Sequence, residues 1–423
     1  SVPGSSTTAG AAITPTATVP PQQVTTSSAV TSTTLPASEF EQVAVVHTTS
    51  DAMRGGLERA LFSPDGATIL TVTNGAEGAA VVSWDAGNGQ QVVSFEAESN
   101  GVNDARFNAD GTRIVTAHQE GTARVWDAAT GAVIATLALP ARYPPLWTAL
   151  FSPDGATVAT VDGIDAKVTL WDVATEQPRL ELTGLTVAFS PDGSRVATAG
   201  VDPSLEVVGS DLASMLVQVW DSSTGESLGT LTPEPPQYLT SAVYGPDGSK
   251  ILAIGIGLDP QTSLADVWDA QTGRRLPAID VPLDLELPAA SFSDDGATIL
   301  TTHLDGVRIW DATTGETLAG PFGASQPTRV DRSPDGATVL TGDGLGEVAL
   351  WDVASGERQV TLSPPAVTGI AAVDISPNGD GVAAASYDGT LRIWRAASAP
   401  PVSAPPTTSP PSTSSTSTTS TAP

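Results

Sequence analysis

The side chains best suited to acid–base or metal chemistry are aspartates that recur in two kinds of turn. One set follows a tryptophan, and the other stands third in turns of the Ser-Pro-Asp-Gly type; they are Asp85, Asp127, Asp172, Asp221, Asp269, Asp311 and Asp352, and Asp65, Asp110, Asp154, Asp192, Asp247, Asp295 and Asp335. Together they could form an acidic docking face or a weak Ca²⁺ site. Because they are spread repeat by repeat, they lie too far apart to surround one ion with about 6–8 oxygens. We therefore expect them to stabilise turns.

The three histidines offer no recognisable catalytic arrangement. His118 and His303 occupy corresponding places in two distant repeats, two residues before Glu120 and Asp305, and His47 stands apart near the N-terminal end. Either could act as a base or metal ligand, but a hydrogen bond within its own repeat is the favoured interpretation. The chain has no cysteine, which excludes disulfides, cysteine metal sites and thiol catalysis. We predict no catalytic residue, no metal and no cofactor.

The aspartates mark an eightfold internal repeat. The Ser-Pro-Asp-Gly turn or a variant occurs eight times, and each copy is followed by one tryptophan of a series spaced 41 to 49 residues apart: Trp84, Trp126, Trp171, Trp220, Trp268, Trp310, Trp351 and Trp394. In the turn, proline presets φ and glycine supplies the positive φ that two antiparallel strands need. The flanking runs alternate with period two, as at 297–301, which predicts β-strands.

A repeat of this period with a Trp-Asp dipeptide resembles the WD40 family. The resemblance covers residues 39–397 and implies an all-β fold, an eight-bladed β-propeller of four-stranded antiparallel blades. In that family the Ser-Pro-Asp-Gly turn joins strands a and b, the tryptophan lies on strand c, and the tryptophans fill the space between blades. The last repeat ends after Trp394, so we expect the N-terminal strand at 39–47 to supply its outer strand and close the ring.

The repeats depart from the family in one respect. Family members often carry a hydrogen-bonded network of His, Ser or Thr, Asp and Trp in each blade. Here no Gly-His pair precedes any repeat, and the turn aspartate is recognisable only at Asp165 and Asp388, with Glu120 and a shifted Asp305 in two others. We therefore expect most blades to depend on packing and turn chemistry instead.

The flanking segments and the charge restrict partners and location. Residues 1–38 and 398–423 are rich in Ser, Thr and Pro, and we predict disordered linkers or O-glycosylated stalks. A net charge of −29 argues against binding nucleic acid or an anionic membrane, and no stretch is apolar enough for membrane insertion. We predict a monomeric propeller, extracellular or in the cell envelope, with a cytoplasmic module of a larger regulator as the alternative. Two lysines among 18 basic residues suit a bacterial source.

The least regular connections point to a binding surface. In the family, b–c and d–a loops share the top face of the ring. A proline-supported aromatic stretch leads into repeat three and another into repeat five, and their predicted anchors are Arg142, Tyr143, Trp147 and Tyr238. Trp147 could instead only plug the junction between blades two and three. The favoured function is a non-catalytic protein-interaction scaffold or sensor; the alternatives are a ligand- or glycan-recognising outer domain of a receptor, and a hydrolase or lyase in the channel.

Overall fold

The chain folds into eight sheets of four strands each. The computed structural model describes residues 40–47, 56–75, 78–95, 101–138, 145–201, 215–234, 237–257, 263–277, 279–281, 290–303, 305–322, 327–363 and 368–397. Within these ranges there are 32 strands and no helix. Every sheet is antiparallel and is built from strands consecutive in sequence, with one exception described below. The predicted linkers at 1–38 and 398–423 lie outside the described residues.

The first four blades follow one another along the chain, each with strands a, b, c and d in that order. Blade one has β2 Leu57–Phe62, β3 Thr68–Gly75, β4 Gly78–Asp85 and β5 Gln91–Phe95; blade two has β6 Val102–Phe107, β7 Arg113–His118, β8 Thr122–Asp127 and β9 Val133–Ala138; blade three has β10 Leu146–Phe151, β11 Thr157–Asp162, β12 Lys167–Asp172 and β13 Gln177–Thr183; blade four has β14 Thr186–Phe189, β15 Arg195–Val201, β16 Met215–Asp221 and β17 Ser227–Leu231.

The remaining blades repeat the pattern. Blade five has β18 Gln237–Tyr244, β19 Lys250–Gly257, β20 Ser263–Asp269 and β21 Ile279–Val281; blade six has β22 Ala290–Phe292, β23 Thr298–His303, β24 Gly306–Asp311 and β25 Thr317–Phe322; blade seven has β26 Pro327–Arg332, β27 Thr338–Asp343, β28 Val348–Asp352 and β29 Arg358–Ser363; blade eight has β30 Ile370–Ile375, β31 Gly381–Ser386, β32 Thr390–Ala396 and, as its strand d, β1 Phe40–His47.

The hydrophobic core consists of eight clusters, each shared by two neighbouring blades. The cluster between blades two and three, for example, joins Val125 and Leu137 of one to Phe151 and Trp171 of the other. The other seven connect the remaining neighbours in turn, including blade eight with blade one, so the sheets form a closed ring. Seven strand-c tryptophans are buried and Trp220 is half-buried in its cluster. The prediction that these tryptophans fill the space between blades is confirmed.

The N-terminal strand closes the ring, as the sequence predicts. β1 pairs antiparallel with β32, from Phe40 opposite Ala396 to His47 opposite Thr390. Ala44 and Val46 of β1 pack against the cluster that blade eight shares with blade one. Blade eight therefore combines the first and last described strands of the chain.

The repeated turns define two edges of every blade. In the a–b turn of blade one, Gly66 has φ of 71° and its amide donates to the Ser63 carbonyl at 2.8 Å, while the Ser63 hydroxyl accepts from the Thr68 amide at 3.0 Å. The a–b and c–d turns lie at one edge, which we call the bottom. The b–c turns and the beginnings of the a strands lie at the other, the top, as the pairing of Leu146 with Asp162, and of Asp162 with Lys167, shows for blade three.

A tryptophan–threonine hydrogen bond recurs in six blades, which corrects the expectation that most blades lack a side-chain network. The indole Nε1 donates to a strand-b hydroxyl at 2.7–2.9 Å; the pairs are Trp84–Thr71, Trp126–Thr116, Trp171–Thr160, Trp220–Thr198, Trp310–Thr301 and Trp351–Thr341. In blades five and eight, alanine occupies the place of the threonine, at Ala253 and Ala384. In blades one, three, four and seven the tryptophan–threonine hydrogen bond forms without a histidine partner, because strand register alone brings the two side chains together.

Candidate functional site

Trp147 lies at the top of blade three with half of its surface exposed. It is the second residue of β10, and its indole lies directly against Gly163 in the b–c turn of the same blade. A Cβ built on Gly163 would lie 1.8 Å from the indole Cε2, so only glycine leaves room for the ring. The next residue in the turn, Ile164, is 68 % exposed. We call Trp147, Gly163 and Ile164 the blade-three patch.

The backbone beneath the blade-three patch is held by hydrogen bonds from two blades. Asn103 of blade two donates its side-chain amide to the Leu146 carbonyl at 2.8 Å. In the b–c turn, the Asp162 carboxylate accepts from the amides of Ile164 at 2.7 Å and Asp165 at 3.2 Å. An apolar surface on a fixed backbone loses little conformational entropy when a partner binds. The aspartate that caps this turn is thus Asp162, whereas the sequence pattern drew attention to Asp165.

Of the other predicted anchors, the structure describes Tyr238 but not Arg142 or Tyr143. Tyr238, the second residue of β18, lies at the top of blade five and is 40 % exposed. Blade four lies between Tyr238 and Trp147 in the ring. Arg142 and Tyr143 fall outside the described residues, so their part in the predicted surface stays a prediction.

Two further exposed apolar side chains at the top edge were missed by sequence reasoning. Leu345, 73 % exposed, is in the b–c turn of blade seven, and Tyr387, 54 % exposed, is in that of blade eight. Both turns have ordinary length, so the length of the connection does not mark them as unusual. The residue type was the available signal for a binding surface, since a turn between two strands seldom needs a large apolar side chain.

Charged side chains line the central channel where blades one to three meet. Asp104 on β6 is fully buried, and its carboxylate lies 3.3 Å from Arg59 Nη2 of blade one and 2.9 Å from Arg106 Nε. The Thr148 hydroxyl of blade three also donates to it. A buried carboxylate needs such partners to offset its lost hydration. Asp104 therefore fixes two arginines and connects three blades.

A pair of aspartates, Asp331 and Asp374, lies where blades seven, eight and one meet. Asp331 accepts from the Ile375 amide at 2.7 Å and Asp374 from the Phe62 amide at 2.5 Å, and the two carboxyl groups are hydrogen-bonded to each other. Desolvation raises the pKa of Asp331, and desolvation together with the neighbouring Asp331 charge raises the pKa of Asp374 well above its usual value. The pair therefore tends to hold one proton between its two carboxyl groups.

A cavity of about 520 Å³ opens at the top end of the channel. It lies over blades seven, eight, one and two, and we call it the channel-mouth cavity. Its described polar lining residues are Glu58, Arg59, Asn103, Arg329 and Tyr387, and its apolar lining includes Ala371 and Val373. The channel thus brings arginines and carboxylates together at one end, which the sequence indicated only as separate charges on strand a.

The histidines make hydrogen bonds inside their blades, as the sequence predicts. His118 Nε2 lies 2.7 Å from the Thr116 hydroxyl, and His303 Nε2 lies 2.6 Å from that of Thr301, the same hydroxyls that accept from the tryptophans. Burial, followed by the charge of Arg124, lowers the pKa of His118 to about 4. His118 is therefore a neutral structural group at physiological pH.

The bottom-edge aspartates are used in their own turns. Asp221, after the blade-four tryptophan, accepts from the amides of Ser223 at 2.9 Å and Thr224 at 2.8 Å, and hydrogen bonds led by that from the Ser223 hydroxyl lower its pKa to about 2. Asp154, in an a–b turn, accepts from the Ala156 amide at 3.0 Å. Turn capping, the favoured interpretation, is confirmed. Within the described ranges, no three His, Asp or Glu side chains are grouped to hold a metal ion.

The sheets and their closure define the chain as an eight-bladed β-propeller. The chain contains WD40 repeats: the family model "WD domain, G-beta repeat" matches residues 89–127 and 356–395. Each matched stretch runs from a c–d turn to the tryptophan of the next blade, so the repeat in sequence is offset by one strand from the blade. No helix in the described part of the chain is long and apolar enough to cross a membrane.

Similar proteins come from flies and a plant. Eukaryotic translation initiation factor 3 subunit I of Drosophila grimshawi is 33 % identical over 95 residues, 22 % of this chain and 29 % of that protein. The protein of the same name from Drosophila willistoni is 30 % identical over 166 residues, 35 % of this chain and 50 % of that protein. WD repeat-containing protein VIP3 of Arabidopsis thaliana is 29 % identical over 136 residues, 28 % and 42 %. The matched region thus spans half or less of each relative. The bacterial source stays a prediction.

Proposed function

We propose that this propeller is a non-catalytic platform that binds a protein partner through its top face. The observation that carries the proposal is the seating of Trp147, whose indole is half exposed yet fixed against Gly163. Large aromatic side chains on a rigid backbone are the usual anchors of protein interfaces. An indole that served only to plug the junction between blades would gain most from full burial.

The distribution of exposed apolar groups supports the same face. Trp147, Ile164, Tyr238, Leu345 and Tyr387 lie at the top edge, and each has at least 40 % of its surface exposed. The other described large apolar side chains exposed to this extent lie on outer strands, among them Val133, Leu228 and Leu318. The bottom edge carries capped aspartates with Ser, Thr, Pro and Gly, whose polar groups are engaged in turns. A partner that covers the top edge therefore removes these apolar side chains from water, whereas one at the bottom edge would cover mainly polar turns.

The similar proteins add support of a general kind. Two of the three are named as a subunit of a translation initiation factor, and so are parts of a larger assembly. By analogy with these relatives, we propose only that this propeller binds other proteins.

An affinity capture with the full chain tests the proposal. The bait variants are Trp147→Ala and Gly163→Ala, the second of which displaces the indole without removing it, and Tyr238→Ala extends the test to blade five. Leu318→Ala is the matched control, since this leucine is 56 % exposed on the outer strand β25. We expect one protein to be retained by wild type and by Leu318→Ala, and lost with both blade-three variants. Equal capture by all baits would refute the top-face site.

Capture from separate envelope and cytoplasmic fractions examines the predicted location at the same time. Enrichment from the envelope or extracellular fraction alone fits the predicted extracellular or envelope placement. Enrichment from the cytoplasm alone would favour the module of a larger regulator.

A further inference from the structure

The channel-mouth cavity concentrates positive charge in a strongly acidic chain. Arg59 and Arg329 both line it, and among the described lining residues Glu58 is the one carboxylate. The whole chain, by contrast, has 18 basic and 47 acidic residues. The described lining therefore holds two guanidinium groups against one carboxylate, and Arg59 is also ion-paired with the buried Asp104.

The two arginines flank the same strand. Arg59 belongs to β2 of blade one and Arg329 to β26 of blade seven, and both strands contact β30 of blade eight. Arg329 Nε donates to the Ala371 carbonyl on β30 at 2.5 Å. Arg59 is positioned from the other side by the buried carboxylate of Asp104. Each guanidinium group is thus anchored by a contact to a neighbouring blade.

The rest of the lining suits an extended peptide segment. Small and apolar residues that include Ala371, Ala372 and Val373 also line the cavity, together with Asn103 and the exposed Tyr387. Glu58 is itself engaged, because its Oε2 accepts from the Asn74 side-chain amide at 2.8 Å. Guanidinium groups match carboxylates in geometry and form charge-assisted hydrogen bonds about twice as strong as neutral ones.

We propose that the channel-mouth cavity binds an acidic segment of the protein partner, with an Asp or Glu carboxylate of that segment between Arg59 and Arg329. This rests on the proposed function, since it assigns a second contact to the same top face. It also defines the partner by charge, because an acidic segment is repelled by most of this surface and attracted at this opening.

Selection from a random peptide library displayed on phage tests the proposal, with the full chain as bait. We expect enriched peptides to be rich in Asp and Glu. Synthetic copies should lose about tenfold or more in affinity, equal to about 1.4 kcal/mol, when their acidic residues become Asn or Gln, or when the bait carries Arg329→Gln. Arg329→Lys should restore part of the binding, and added salt should weaken it.

Controls separate loss of binding from loss of folding. Arg274→Gln, at an exposed arginine in a bottom-edge turn, is the matched control and should bind like wild type. Arg59→Gln is read only beside its thermal melt, because it removes a partner of the buried Asp104; Arg329→Gln leaves that ion pair intact. Neutral or basic peptides, acidic peptides indifferent to Arg329→Gln, or no enrichment would each overturn the proposal.

The same selection distinguishes this inference from the proposed function. Peptides that depend on Trp147 but not on Arg329 would uphold binding at the blade-three patch and reject the carboxylate site. Peptides that depend on Arg329 but not on Trp147 would uphold the carboxylate site and confine binding to the channel mouth.

Discussion

The indole of Trp171 donates a hydrogen bond of 2.9 Å to the hydroxyl of Thr160 on the neighbouring strand of blade three. The indole is buried in the cluster shared with blade two, which also contains Val125 and Leu137. One side chain therefore packs between two blades through its carbon atoms and joins two strands of one blade through its nitrogen.

Replacing Trp171 with alanine should lower the free energy of unfolding by roughly 3–5 kcal/mol, the usual range for emptying an aromatic core site. Thr160→Val keeps the volume but leaves the indole N–H without its acceptor, which should cost about 1–3 kcal/mol. Denaturant titrations of both variants measure these changes. No loss in the Trp171 variant would contradict the assignment of this residue to the core between blades.

Protonation of His118 should destabilise the fold below neutral pH. Its pKa is about 4 in the folded chain and near 6.5 when unfolded. Between these values the unfolded chain binds the proton and the folded chain does not, so stability is fully present above about pH 6.5 and falls as pH drops towards 4. The contribution amounts to at most about 3 kcal/mol.

The variant His118→Gln isolates this contribution. Its stability relative to wild type should rise as the pH is lowered from 7 to 4, measured by denaturant titration at each pH. His47→Gln, at an exposed position of β1, controls for removing an imidazole as such. A constant difference between wild type and His118→Gln across this range would rule out the buried neutral imidazole.

The seam between blades eight and one can be probed at Gly89, in the c–d turn of blade one. Gly89 has φ of 70°, and a Cβ there would lie 2.4 Å from the Ala44 Cβ of β1. Gly379 has a similar φ of 76° with open space around it. Gly89→Ala should therefore be more destabilising than Gly379→Ala, which bears only the backbone strain of roughly 1–2 kcal/mol.

Thermal melts of the two variants, with Gly229→Ala as a strand glycine in open space and without positive φ, separate strain from seam packing. Equal losses at Gly89 and Gly379 would mean that Ala44 does not pack against this turn.

Most of the fold could be predicted from the sequence because the same pattern of turns and strands recurs in every blade. The turn glycine fixes the a–b hairpin, and the tryptophan spacing sets the strand count, so even the closing role of β1 could be predicted. The threonine partners of the tryptophans were also visible in principle, since each is the fifth residue after the turn glycine. Threonine is a common residue in strands, so it marks the network less distinctly than histidine and aspartate do.

The sites were less predictable because they depend on contacts between distant segments. Trp147 was singled out as an aromatic residue in an irregular connection, but its seating on Gly163 follows from the register of β10 with β11. Arg59 and Asp104 were noted only as separate charges. Their ion pair exists because the ring places strand a of blade one beside strand a of blade two, which no local pattern specifies.

The eight shared clusters make the ring a cyclic array without terminal units. In an open row of repeats, an end unit can detach at the cost of a single interface, and such arrays fray from their ends. Here every blade has two neighbours, so loosening any one of them disrupts two clusters at once. Unfolding of the ring should accordingly be more cooperative than that of an open row of equal length. This cooperativity depends on β1, whose pairing with β32 completes blade eight.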